Sequence, residues 1–69
     1  MLIKKSITLK NHRTSLSLEK EFWDAIYKIA EKEKSSIQSL ISGIDINRKS
    51  SLASSTRVFI LQYYKQINL

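Results

Sequence analysis

The stretch Lys5-Ser6-Ile7-Thr8-Leu9-Lys10-Asn11-His12-Arg13-Thr14-Ser15-Leu16-Ser17-Leu18 decides how this chain folds. It has no helical period. It alternates twice instead, in Ser6-Ile7-Thr8-Leu9 and again in Thr14-Ser15-Leu16-Ser17-Leu18, and a period of two predicts strand. Between these runs Lys10-Asn11-His12-Arg13 is polar, and Asn11 tolerates turn geometry, so the segment is either a hairpin or two short strands with a bend. In the second run Thr14, Leu16 and Leu18 point one way and Arg13, Ser15 and Ser17 the other. One face is apolar and the other is suited to hydrogen bonding.

From Glu19 onward the period becomes helical. Phe22, Ile26, Ile29 and Ala30 recur on one face, widened by Trp23 and Tyr27. Glu19, Glu21 and Asp24 come early and Lys28, Lys32 and Lys34 late, as the helix dipole favours, so a first helix is expected over 19–33. Ser35-Ser36-Ile37-Gln38 reads as a capping box with Ser35 as N-cap. It opens a second helix over 36–47, with Ile37, Leu40, Ile41 and Ile44 on one face. A third is expected over 51–67, its principal face carrying Leu52, Thr56, Phe59, Tyr63 and Ile67. The middle of that helix, Val58-Phe59-Ile60-Leu61, is apolar all round, which a chain of 69 residues cannot cover on every side, so a partner surface is expected there. Gly43, within the second helical pattern, is either a close-contact position or a tolerated loss of about 1 kcal/mol relative to Ala.

Composition narrows what such a chain does. A lone domain of this length has a thin core, and without cysteine there are no disulfides or thiolate metal sites to reinforce it. Oligomerisation is the remedy left. The hydrophobic content of 42% and mean hydropathy of −0.25 fit a folded, soluble chain. Met1-Leu2-Ile3 runs straight into Lys4 and Lys5 with no long apolar stretch after it, so neither a secretory signal nor a membrane span is expected, and a cytoplasmic location follows. The net charge of +6 is unevenly spread: Lys4, Lys5, Lys10 and Arg13 lie in the first thirteen residues with no acid among them. Residues 1–12 thus form a basic arm or first strand ahead of a reading strand at 13–18. A basic patch on one element is the electrostatic footprint of a nucleic-acid binder. Lys4, Lys5 and Lys10 are its expected phosphate contacts. Catalysis lacks material, because the six acids are spread over helix surfaces, His12 is the one histidine, and no glycine-rich phosphate loop exists. No catalytic residue, metal or cofactor is expected.

Strand, helix, turn and helix in this order, carried by Arg13-Thr-Ser-Leu-Ser-Leu18-Glu19, Phe22, Ile26, Ile29, Ala30 and Ser36-Ile-Gln-Ser-Leu-Ile41, resemble the ribbon-helix-helix family. Lys5-Ser-Ile-Thr-Leu9, His12-Arg-Thr-Ser15, Phe22-Trp23 and Arg57-Val-Phe59 resemble more closely a subfamily of small alphaproteobacterial proteins, over nearly the whole chain. The resemblance implies a mostly α fold with a short N-terminal strand or hairpin, a homodimer, and an added C-terminal helix that the minimal fold lacks. It implies that strands from two subunits pair antiparallel and enter the DNA major groove, which physically admits a two-stranded ribbon. Either Lys5–Leu9 or Arg13–Leu18 forms that ribbon. By family position Arg13, Ser15 and Ser17 contact bases, and the start of the second helix, at Lys34, Ser35 and Ser36, donates amides to a phosphate. One arginine on the reading strand is fewer than strong selectivity suggests.

Leu16, Leu18, Phe22, Trp23, Ile26, Ile29, Ile37, Leu40, Ile41, Ile44, Phe59 and Tyr63 are the expected dimer core. Trp23 and Tyr27 at helical spacing fit that core better than base stacking, and His12 beside Asn11 fits a turn residue better than a DNA contact. The function expected is therefore a bacterial, dimeric, sequence-specific DNA-binding regulator, a repressor at the nucleoid, with double-stranded DNA and a second copy of itself as partners. The rival is a dimeric interaction module, such as an antitoxin or regulator-binding protein, that docks another protein through the third helix or the basic arm.

Overall fold

The computed structural model describes residues 1–67. Strands β1 (Leu2–Leu9) and β2 (His12–Glu19) are followed by helices α1 (Lys20–Lys32), α2 (Ile37–Asn47) and α3 (Leu52–Ile67). Both alternating runs are strands, and they pair with each other as an antiparallel hairpin in which Leu9 faces His12 and Leu2 faces Glu19. The loop is two residues, Lys10 and Asn11, with φ of 51° and 66°. Two successive positive φ values are the signature of the tight turn whose twist matches that of the flanking strands. The pairing that the resemblance places between two chains is thus made within one. β2 is occupied along its length by β1 of its own chain, so a strand from a second copy has only the opposite edge to meet.

Alternation sends Leu9, Leu16 and Leu18 inward, where they join Trp23, Ile26 and Ile29 of α1, Ile41 of α2 and Ile60 of α3 in one core. Thr14 and His12 share the parity of Leu16 but are exposed, while their partners Ile7 and Leu9 on β1 are half-buried and buried, so toward the turn the core covers β1 and not β2. Trp23 is buried, and its indole Nε1 donates to the Ile3 carbonyl at 2.8 Å, which fixes α1 beneath β1. Thr56, also buried, donates to the Leu52 carbonyl at 2.8 Å and so enters the core satisfied.

The α1–α2 connection is set by backbone chemistry. Lys34 adopts φ 54°, the Ser35 amide donates to the Ala30 carbonyl at 2.9 Å, and the Lys34 amide donates to that of Glu31 at 3.2 Å. This pair of bonds terminates a helix through a left-handed residue, here a lysine where glycine is usual. Ser36, not Ser35, caps α2: its side chain accepts from the Ser39 amide at 3.0 Å. The cap sits one residue later than expected because the Ser35 amide is consumed in closing α1, and with Ser39 three positions on, the cap is a single side-chain bond and not a reciprocal box. Ser51 caps α3 in the same manner, accepting from Ser54 at 3.1 Å. Two side-chain links then tie α3 down, Arg57 to Glu19 at 2.9 Å and the Tyr63 hydroxyl donating to Glu33 at 2.7 Å.

Of the residues expected to form the dimer core, Leu16, Leu18, Trp23, Ile26, Ile29 and Ile41 are buried within a single chain. Phe22, Ile37, Leu40, Ile44, Phe59 and Tyr63 are half-buried at its margins. On α3, Ile60 points inward while Val58 and Leu61 remain 48% and 60% exposed.

Candidate nucleic-acid interface

The register of the hairpin assembles its outer face. Lys4 lies opposite Ser17, Ser6 opposite Ser15, and Thr8 opposite Arg13. Directly opposed residues on paired strands project from the same face. The result is a ribbon of four hydroxyls with a lysine toward one end and an arginine toward the other, and Lys10 at the exposed tip beyond them. Lys4, Arg13 and Ser15 are exposed and Ser17 is half-buried. Ser6 and Thr8 were not among the expected contacts. The signal for them was present in the alternation, since they share the parity of Lys4 and their runs pair in register.

Glu19 is the one acid on this face, at the end far from the turn. The Arg57 guanidinium holds it from α3 and in turn lies over the Phe22 ring, 5.7 Å from its centroid. A backbone hydrogen bond at Glu19, and then the Arg57 side chain, hold its carboxyl below the usual glutamate range. The acid is thereby turned toward the helices and away from the cationic part of the ribbon.

Lys5, also an expected phosphate contact, lies on the other face of the hairpin from Lys4. It sits opposite Leu16 on the inner face, half-buried, with its ammonium 5.1 Å from the Trp23 ring centroid and 4.8 Å from that of Tyr27. It also donates to the Tyr27 hydroxyl at 3.1 Å. The aromatic faces attract the charge and the aliphatic stem covers apolar surface. Lys5 shares the parity of Ile3, Ile7 and Leu9, so the alternation separates it from Lys4.

The start of α2 lies beside the ribbon, with Ile37 and Gln38 bordering the same hollow as Ser6, Thr8 and Arg13. Lys34 and Ser36 are exposed and Ser35 is half-buried. The Ser36 hydroxyl serves the helix itself, leaving backbone amides and the positive dipole end to face solvent. His12 is exposed next to the turn, and Tyr27 is 44% exposed at the edge of the Lys5 cluster. Among the described residues no group of three or more His, Cys, Asp or Glu is placed to hold a metal, and no helix is long and apolar enough to cross a membrane.

Chemically, this face offers donors from one arginine and one lysine and donor-acceptor hydroxyls between them, on a strip two strands wide. Strands in a pair lie about 4.8 Å apart, which fits a groove about 12 Å wide with side chains to spare. A family model for the ribbon-helix-helix domain matches residues 2–64. No curated protein and no solved structure matches the chain.

Proposed function

The chain belongs to the ribbon-helix-helix domain family, whose members in general are dimeric DNA-binding modules of transcription regulators or antitoxins, and on that premise we propose that it is a sequence-specific DNA-binding repressor. In this reading a homodimer, in the cytoplasm at the nucleoid, lays the outer face of each hairpin into the major groove. The observation that carries the proposal is the single surface shared by Lys4, Ser6, Thr8, Arg13, Ser15 and Ser17, cleared of free carboxylate by the Arg57–Glu19 pair. Arg13 is long enough to take guanine O6 and N7 through two bonds, and Ser15 and Ser17 supply shorter contacts. Lys4 and Lys10 pair with phosphates, and the α2 start at Lys34, Ser35 and Ser36 anchors the backbone on the flank. Lys5 supports the ribbon from beneath. Regulatory binding modules of this kind have no reaction to perform, and no catalytic residue is assigned.

The decisive experiment is binding to fragments of genomic DNA over a salt series. Sequence-selective retention with a steep salt dependence is expected, whereas uniform retention of all fragments would reduce the ribbon to an electrostatic adhesive. A second reading, the antitoxin-like interaction module, is favoured by one observation. Between α2 and α3 runs an open groove of about 730 Å³, lined in part by Leu40, Ile44, Val58 and Phe59. That reading becomes the better one if no duplex is bound selectively.

A further inference from the structure

Beside the free edge of β1 lies a hollow of about 220 Å³ lined by Lys5, Ser6, Thr8, Arg13, Tyr27 and Gln38, with apolar walls beneath. No carboxylate lines it, and neither Lys5 nor Arg13 has an ion-pair partner among the described residues. Lys5 is half-buried against two rings and donates to Tyr27, so it carries a fixed positive charge with remaining N–H donors and no anion to meet them. The backbone adds to this. In an antiparallel ladder closed by a two-residue turn, bonded and non-bonded pairs alternate from the closing pair, here Leu9 with His12. The amides of Ser6 and Thr8 therefore point away from β2, toward the open edge that borders the hollow. Two cations, two hydroxyls, a phenol and a carboxamide thus border, from both faces of the β1 edge, a space large enough for a tetrahedral oxyanion, with two backbone amides directed to that edge.

We propose that this hollow is a phosphate-binding pocket built on the β1 edge and the Lys5 cluster, which meets α2 only at Ile37 and Gln38 and includes none of Lys34, Ser35 and Ser36. The phosphate belongs either to a DNA strand flanking the ribbon or to a free phosphate-bearing molecule. Arg13 borders both pocket and reading face, so a free phosphate ligand and a DNA base compete for the same guanidinium. The pocket itself stands on the hairpin geometry, and only its link to DNA rests on the function proposed above.

The test is titration of inorganic phosphate into the full chain in chloride buffer at constant ionic strength, followed by amide NMR. Saturable shifts at Ser6, Thr8 and Gln38 are expected. Gln38→Glu puts a carboxylate on the pocket rim, at an exposed position in the first turn of α2 where a negative charge suits the helix. It should keep the spectrum folded and weaken phosphate at least tenfold. Shifts that grow linearly without saturating, or unchanged affinity in Gln38→Glu, would overturn the pocket. Duplex binding by the same variant then identifies the source. Loss of duplex affinity in parallel with phosphate affinity assigns the site to the DNA backbone, while duplex affinity retained as phosphate affinity falls assigns it to a free ligand. A chain that binds phosphate saturably but no duplex would keep the pocket and refute the repressor. A chain that binds duplex but not phosphate would do the reverse.

Discussion

Arg13→Ala removes the longest side chain of the hairpin's outer face, the proposed reading face, without disturbing the protein that carries it. Arg13 is exposed, forms no ion pair among the described residues, and sits opposite Thr8 where any side chain that tolerates a strand is accommodated. Its loss should shift unfolding by no more than about 0.5 kcal/mol, the ordinary range of surface substitutions. A two-bond contact to guanine is worth about 1–3 kcal/mol of discrimination, or roughly 5- to 150-fold in affinity per contact. A homodimer carries the change twice, and contacts in separate half-sites are far enough apart to add, so the penalty on a two-half-site operator should approach double. The assay is quantitative gel shift or fluorescence anisotropy against a selected fragment and a scrambled one of equal length. Arg13→Ala should lose affinity for the first and relax preference at one position per half-site, while binding to the second falls only by the missing charge. Lys4→Ala is the counterpart: it should weaken both fragments alike and make the logarithmic salt dependence shallower by about 0.9 for each phosphate no longer neutralised. If Arg13→Ala leaves site preference intact, the ribbon does not read bases through this residue and the interaction-module reading prevails.

The homodimer proposal requires an unfolding midpoint that rises with protein concentration, and a compact monomer in micromolar sedimentation would contradict it. In the turn, the pair Lys10→Asn and Asn11→Gly supplies residues that suit two positive φ values, and should stabilise by about 1 kcal/mol, raising Tm by roughly 4–8 °C. Lys34→Gly relieves a left-handed lysine and should also raise stability, by about 1 kcal/mol, while weakening all DNA alike if Lys34 touches phosphate; thermal melts and binding read the two effects separately. Glu19 has a folded pKa below its unfolded one, so its contribution is present above the ordinary glutamate value and is lost as pH falls through the lowered one. Tyr63 has the opposite sense: the Glu33 bond raises its pKa, and its contribution is lost as pH rises through the raised value. Arg57→Met should flatten the acid limb of a stability profile and Tyr63→Phe the alkaline limb.

Much of the architecture is legible because hydrophobic parity is a local property. Leu16 and Leu18 alternate with serines, and Ile26, Ile29 and Ala30 recur on one helical face, so strand and helix each declare themselves before any tertiary contact exists. Partner choice is not local. The turn admits hairpin and bend alike, and the selection depends on both Lys10 and Asn11 taking positive φ, which composition only permits. Trp23 illustrates the same limit: helical spacing places it in a core, but its bond to the Ile3 carbonyl, which joins it to its own chain's first strand, depends on how α1 crosses the hairpin. The cap moved from Ser35 to Ser36 because termination of α1 through Lys34 determines where α2 can begin. At the interface, the grouping of Lys4 with Ser6 and Thr8 was readable from parity, whereas the capture of Lys5 by Trp23 and Tyr27 and the diversion of Glu19 to Arg57 are contacts between residues far apart in the chain.

If the hairpin reads DNA as proposed, closing the ribbon inside one chain changes what kind of sequence it is able to recognise. A ribbon built from two copies of one strand repeats the same side chains about a dyad, and so favours a palindrome at its centre. The hairpin instead sets two different rows side by side, Lys4-Ser6-Thr8 along one strand and Arg13-Ser15-Ser17 along the other. Under the DNA-reading proposal each protomer addresses an asymmetric half-site by itself. Any palindromy of the operator then reflects how two protomers are joined, and the two rows are free to diverge independently by mutation, since no symmetry operation copies a change in one into the other.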